Sequence, residues 1–323
     1  MIVLYFFLFF ILAFILTKAA DLTLDSIKSI SRITGAKAFI LSALVLSVAT
    51  SLPELFIGIS SGIDGSSILS LGNLLGANIT NILLVAGLST VVAGGVAVHG
   101  EKIFREFLLA SFAGVLPLFL LLDGTLSRVD GLILLAVYLV YILSFFKKRF
   151  IEVGTHHLSG KTIMRFIKNA ETVEKKANKG IGHLLVGIAA LLFLSNIIVG
   201  IASTIATSLS VPVFIVGLVL LSLGTTLPEM VVSFRSLKSH ADGIFFGNLL
   251  GSIIINSTLI MGLVSVINPI SDIEPTSYLV PGITFIISVI IFWIFIKTKH
   301  HLTRNEGFIL LVLYIAFVIL EFV

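Results

Sequence analysis

Ser47-Val48-Ala49-Thr50-Ser51-Leu52-Pro53-Glu54 recurs as Ser222-Leu223-Gly224-Thr225-Thr226-Leu227-Pro228-Glu229. Each copy is followed by a glycine-asparagine segment. In the first half it is Gly72-Asn73-Leu74-Leu75-Gly76-Ala77-Asn78-Ile79-Thr80-Asn81, and in the second Gly247-Asn248-Leu249-Leu250-Gly251-Ser252-Ile253-Ile254-Ile255-Asn256. Glu54 and Glu229, Asn73 and Asn248, and Asn81 and Asn256 are each 175 residues apart, so one register covers both motifs. A repeat of this kind decides the architecture and is settled before any motif is interpreted.

The surroundings of the repeat are oily. Of 323 residues 57% are hydrophobic and 12% charged, with a mean hydropathy of +1.16, whereas a soluble domain carries roughly a quarter charged residues. A helix crossing a bilayer needs about 20 apolar residues. Apolar runs at 2–17, 38–62, 68–94, 104–122 and 130–146, then 183–205, 211–234, 243–267, 277–296 and 307–323, predict ten crossings. Five crossings is an odd number, so the second half must enter the membrane with the opposite polarity. The expected fold is therefore all-α and polytopic: ten transmembrane helices as two inverted five-helix repeats, an arrangement common in secondary transporters. The halves are 1–146 and 181–323, joined by a polar linker at 147–180. The run 2–17 is read as a retained first helix and not a cleaved leader, because Lys18 follows it instead of preceding it.

The net charge of +4 does not signal nucleic acid, since the basic residues fall between the apolar runs. With the N-terminus outside, 20 of the 21 Lys and Arg lie in inner loops, nine of them in the linker, and Arg128 alone lies outside. The positive-inside rule then predicts a multi-pass protein of the cell membrane with both termini extracytoplasmic and the central loop cytoplasmic. Cysteine is absent, which excludes disulfides, thiolate metal sites and cysteine nucleophiles. The seven histidines show no metal spacing across the repeat, and no serine-histidine-acid or phosphate-loop pattern is present. The chain is not expected to be an enzyme or to hold a cofactor.

Two acidic residues do not fit a loop. Glu54 and Glu229 sit about halfway along hydrophobic helices, where an unpaired charge costs at least ~2.5 kcal/mol. With no Lys or Arg placed nearby, a bound cation or proton must supply the positive charge. Pro53 and Pro228 precede them, and a proline inside a helix frees a carbonyl about four residues upstream, near Ala49 and Gly224. Those oxygens, with the hydroxyls of Thr50, Ser51, Thr225 and Thr226, are tolerated in a membrane where they line an ion cavity. Calcium takes about six to eight oxygens in flexible geometry, whereas magnesium demands a smaller and stricter cage. Two bidentate glutamates and carbonyls near Thr50 and Thr225 come to about six oxygens, and a charge of −2 matches one Ca²⁺. Sodium, similar in size with half the charge, can compete for the same oxygens. Asn81 and Asn256 offer neutral oxygen. Asn73 and Asn248 are read either as ligands or as hydrogen-bonding scaffold, and Gly72, Gly76, Gly247 and Gly251 have the spacing that permits close helix contact.

The paired Thr-Ser/Thr-Leu-Pro-Glu and Gly-Asn-x-x-Gly-x-x-x-x-Asn segments resemble the alpha repeats of the sodium/calcium exchanger family, of the cation/calcium antiporter superfamily, in its prokaryotic form. The resemblance implies that Glu54 and Glu229 coordinate Ca²⁺ with oxygens of Thr50 and Thr225. It also implies that Na⁺ uses Ser47, Ser51, Glu54, Asn81, Ser222, Thr226, Glu229, Ser252 and Asn256. Two positions depart from the family pattern. Ala77 stands where a serine often supplies a hydroxyl to a flanking sodium, and Asn256 stands where many prokaryotic and potassium-dependent members have aspartate. The first bears on stoichiometry and the second argues against potassium co-transport. The expected function is Na⁺/Ca²⁺ exchange by alternating access, in a protein whose partners are lipid and the two ions and which works as a monomer. A proton/calcium antiporter is the alternative, and a cation channel a more distant one.

Overall fold

The computed structural model describes residues 2–34, 47–48, 50–98, 101–153, 170–271, 273, 275–298 and 300–321. Its helices are α1 (Ile2–Thr34), α2 (Leu52–Ile63), α3 (Ser67–Ala93), α4 (Glu101–Leu120), α5 (Arg128–Val153) and α6 (Ala170–Leu209). They continue with α7 (Val213–Thr225), α8 (Leu227–Lys238), α9 (Asp242–Ile267), α10 (Pro275–Thr298) and α11 (Arg304–Glu321). Taking α7 with α8, and α2 with the helical residues just before it, as single broken crossings gives ten. The chain is an all-α multi-pass membrane protein.

Several helices outrun their apolar segments. α1 continues to Thr34, α5 to Val153, and α6 begins at Ala170. Apolarity limits how much of a helix lipid can surround, but it does not limit the helix itself. Stretches such as Ala170-Glu171-Thr172-Val173-Glu174-Lys175-Lys176-Ala177 are rich in residues of high helix propensity. The expected linker 147–180 is thus helical at both ends, and its middle, 154–169, lies outside the described residues.

The two halves meet reciprocally. Gly87 of α3 packs on Gly307 of α11, where a Cβ on either would come within 3.0 Å of the other's carbonyl oxygen. The repeat counterparts do the same: Gly262 of α9 packs on Gly131 of α5, with corresponding distances of 2.9 and 2.8 Å. Strand β1 (Gly95–Ala97) pairs antiparallel with β2 (His301–Thr303), and the matching loops of the other halves form the bridge Leu126–Ile270. When each contact has a counterpart with the partners exchanged, a two-fold axis relates the halves. The small ribbon is an addition to the expected all-helical plan, made by loop residues whose backbone groups helices leave unpaired.

The same symmetry governs two helix starts. Thr303 N–H and Oγ1 donate to Glu306 Oε2 at 2.7 and 2.8 Å, opening α11. Ser127 N–H and Oγ donate to Asp130 Oδ2 at 2.8 and 2.6 Å, opening α5. These are capping boxes, in which cap and third residue satisfy each other's orphan donors. Asp130 and Glu306 are therefore employed structurally. Thr303→Ala is expected to cost about 1 kcal/mol, read as a lower thermal midpoint of the purified protein in detergent. An unchanged midpoint would remove the cap from the list of stabilising contacts.

α3 and α9 form the centre. Their apolar spans are 83% and 78% buried, against 33% for α4 and 39% for α10. The outer helices turn Phe112, Phe119, Leu132, Leu143, Ile294 and Val312 outward, the pattern expected where lipid is the solvent. Two glycines make the central packing possible. A Cβ at Gly72 would overlap the Phe214 carbonyl, and one at Gly76 the Leu218 carbonyl; Gly217 of α7 faces the Leu69 carbonyl in the same way. The close helix contact expected of the glycine spacing is thus made by Gly72 and Gly76, between α3 and α7, whereas Gly251 lies against the Ser47 side chain and Gly247 has no described atom within 4 Å of an added Cβ.

Candidate cation site

Each broken crossing owes its break to proline. Pro53 and Pro228 lie in the first turns of α2 and α8, where a missing N–H removes no helical hydrogen bond. The preceding turn ends at Ser51 (φ −85°, ψ 10°) and Thr226 (φ −80°, ψ 3°), and α7 meets α8 at a bend of 41°. The carbonyls that would have accepted from the prolines belong to Ala49 and Gly224, of which Ala49 lies outside the described residues. Glu54 and Glu229 thereby stand in first turns, where the helix dipole favours negative charge.

Both carboxylates are fully buried, at 0% exposure. They lie close enough that the charge of Glu229 acts on Glu54. Neither oxygen of Glu54 has a hydrogen-bond partner, nor does Oε2 of Glu229. Glu229 Oε1 has one long contact, in which Ser252 Oγ donates to it at 3.4 Å. Thr225 is turned toward Glu54, and Thr50 and Ser51 toward Glu229, all short of hydrogen-bonding distance. Among the described residues no cluster of three or more His, Cys, Asp or Glu forms, so the two glutamates have no third acidic or imidazole side chain clustered with them.

The neighbours come from both repeats. Thr50 Oγ1 lies 3.1 Å from Asn248 Oδ1 and Thr225 Oγ1 lies 3.3 Å from Asn73 Oδ1, a crossed pair joining each half to the other. Ser47 Oγ donates to the Gly247 carbonyl at 3.1 Å. Ser47, Ser51, Asn81, Ser222, Thr226, Ser252 and Asn256 are all buried, but they are not equally available. Thr226 and Ser222 spend their protons within α7 or at its end, Thr226 on the Ser222 carbonyl at 2.8 Å and Ser222 on the Leu218 carbonyl. Their lone pairs remain. Asn81 has neither end of its amide engaged, and Asn256 has a free Oδ1. Ala77 is buried and apolar opposite the hydroxyl that Ser252 supplies in the other half.

Sequence reasoning missed two members of this polar centre. Asn78 Nδ2 donates to Ser257 Oγ at 2.7 Å, and Asn256 Nδ2 donates to Asn78 Oδ1 at 3.3 Å. The repeat gave no sign of them, because their counterparts are Ile253 and Ile82. A buried amide in an apolar helix was the only available signal. Both central helices also widen here into π-turns, over Asn81–Val85 and Ile255–Ile260, a local loosening frequent at functional sites.

Comparison with known proteins bears on what such a centre does. The family model described as sodium/calcium exchanger protein matches residues 4–147 and 179–323. The inner membrane protein YrbG of Escherichia coli is 28% identical over 262 residues, covering 80% of this chain and 78% of that one. The sodium/calcium exchanger MaX1 of Methanosarcina acetivorans is 25% identical, covering 95% of each chain. The structure of the sodium-calcium exchanger NCX_Mj soaked with Na⁺ and Sr²⁺ superposes with a TM-score of 0.64 over 98% of both chains, at 24% identity, and so shares the fold.

Proposed function

The chain belongs to the sodium/calcium exchanger protein family, and from that premise we propose that this cation antiporter exchanges Ca²⁺ for Na⁺ across the cell membrane, with Ca²⁺ held between Glu54 and Glu229. The observation that carries the proposal is electrostatic. Two fully buried carboxylates lie within electrostatic reach of each other, with three of their four oxygens unpartnered, and charge of one sign in a low-dielectric interior demands a counter-ion. Four carboxylate oxygens with the carbonyls of Thr50 and Thr225 make about six ligands, enough for Ca²⁺. Na⁺ takes the flanking oxygens of Ser47, Ser51, Asn81, Ser222, Thr226, Ser252 and Asn256 as well as the glutamates, with Ala77 contributing none.

Alternating access follows from the same charge. An empty −2 cavity resists moving through the bilayer core, and one calcium or several sodium ions neutralise it and release that resistance. The two-fold relation of the halves makes the outward and inward openings near mirror images. The distribution of basic residues puts the termini outside and the central linker in the cytoplasm. With Na⁺ higher outside, the exchanger runs toward calcium export, one protomer containing the whole centre.

Purified protein in proteoliposomes is expected to take up ⁴⁵Ca²⁺ when a sodium gradient is imposed and to stop when the gradient is collapsed. Uptake driven by a pH gradient without sodium would assign the counter-ion to H⁺, the role that two buried unpartnered carboxyls are also able to fill. Flux that persists without any counter-ion would mean a channel. No sodium-dependent uptake at any pH would end the Na⁺/Ca²⁺ reading.

A further inference from the structure

The amides of Asn73 and Asn248 carry an inconsistency that points to a role. Thr50 Oγ1 has two acceptors in reach, Asn248 Oδ1 at 3.1 Å and the Ser47 carbonyl at 3.2 Å. Thr225 Oγ1 likewise faces Asn73 Oδ1 at 3.3 Å and the Ser222 carbonyl at 3.4 Å. A hydroxyl has one proton and cannot serve both. Meanwhile Nδ2 of Asn73 and Nδ2 of Asn248 are buried donors with no acceptor, each a position that costs free energy while it stays unsatisfied.

One move removes all four conflicts. The two ends of a carboxamide are nearly isosteric, and a half-turn of each amide exchanges them without new contacts. Nδ2 then donates to the threonine Oγ1, and the threonine gives its proton to the carbonyl three residues back. The threonine proton and one proton of each Nδ2 then have acceptors. What remains is one bare amide oxygen per asparagine, buried and pointing where Nδ2 had pointed. An orphan oxygen beside an anionic centre has one natural partner, a cation.

Position supports this. Asn248, Ser252 and Asn256 fall at intervals of four along α9, as Asn73, Ala77 and Asn81 do along α3, so each asparagine shares the helix face of residues already placed at the centre. Ser252 on that face reaches Glu229. The threonines bound by the asparagines are the two turned toward the glutamates, each toward the glutamate of the other repeat. We infer that Asn73 and Asn248 brace Thr225 and Thr50 through Nδ2 and present their own Oδ1 atoms as two further neutral oxygens of the cation site. This raises the available oxygens from about six to about eight, the upper end of the calcium range, with no added charge. The inference rests on the calcium reading above.

Equilibrium ⁴⁵Ca²⁺ binding to the purified, monodisperse protein tests it. Asn73→Leu and Asn248→Leu, which keep size and remove both amide ends, are each expected to weaken calcium about tenfold, the scale of one lost ligand hydrogen-bond equivalent. Asn248→Asp keeps an oxygen and drops the donor, and is expected to bind calcium at least as tightly as wild type while melting earlier. A leucine variant with a lowered thermal midpoint and unchanged calcium affinity would show bracing alone and overturn the inference. So would an aspartate variant weakened as much as the leucine one. If a leucine variant does not yield monodisperse protein, Asn248→Ser, too short to span from α9 to a shared ion, is expected to show the same tenfold loss. Absence of calcium binding by the wild type would bring down the calcium reading itself, a result distinct from any of these.

Discussion

Glu54→Gln and Glu229→Gln are each expected to abolish calcium exchange while leaving the protein folded. Glutamine keeps the shape and one carbonyl oxygen but removes the charge. Losing one partner of a desolvated charge contact costs about 2–5 kcal/mol, which is about thirtyfold to several thousandfold in affinity. The sign for stability is the opposite. In the empty protein each carboxylate is buried without a counter-ion, so neutralising one relieves repulsion and the thermal midpoint should hold or rise. Calcium should raise the midpoint of the wild type, because a ligand bound only to the native state stabilises it, and should not move that of either variant. Measured together, flux and melting separate a lost site from a lost fold. Wild-type exchange in either variant would refute the placement of the ion.

Gly76→Val is expected to yield little or no folded protein. A Cβ there would overlap the backbone carbonyl of Leu218, and backbone cannot rotate away as a side chain does. Overpacking in a close-packed core ordinarily costs about 1–3 kcal/mol. Here relief requires α3 and α7 to separate, and Gly72 and Gly217 hold the same seam against the carbonyls of Phe214 and Leu69. The loss should therefore lie at the top of that range or above it. Gly200→Ala, with no described atom within 4 Å of the added carbon, is the control and should be neutral or slightly stabilising. Size-exclusion profiles and thermal midpoints in detergent decide the matter. A Gly76→Val protein as monodisperse and heat-resistant as wild type would mean that the seam is looser than its geometry indicates.

The parts of this protein legible in its sequence are those that violate the chemistry of their surroundings. A glutamate in an apolar helix, a proline just before it and the same pair 175 residues later are each improbable alone, so the burial of Glu54 and Glu229 and the inverted plan could be read directly. The glycine spacing pointed to close contact but not to a partner, because spacing reveals which face is small and not which helix arrives there. Asn73 and Asn248 left ligand and scaffold open, since an amide has both ends and only its neighbours decide which is used. The apolar runs do not mark the helix ends where polar residues of high propensity extend α1, α5 and α6. Asn78 and Ser257 were invisible to the repeat, having isoleucine counterparts. The β1–β2 pairing arises between loops more than 200 residues apart and has no local signal.

The crossed bonds Thr50–Asn248 and Thr225–Asn73 say something about descent. Neither half of the chain is self-sufficient, since each borrows from the other the group that completes its own threonine. A half-length ancestor would have needed two copies threaded through the bilayer in opposing senses to close the same circuit, and fusing them would have preserved it unchanged. Isoleucine opposite Asn78, and alanine opposite Ser252, are positions where the twins differ.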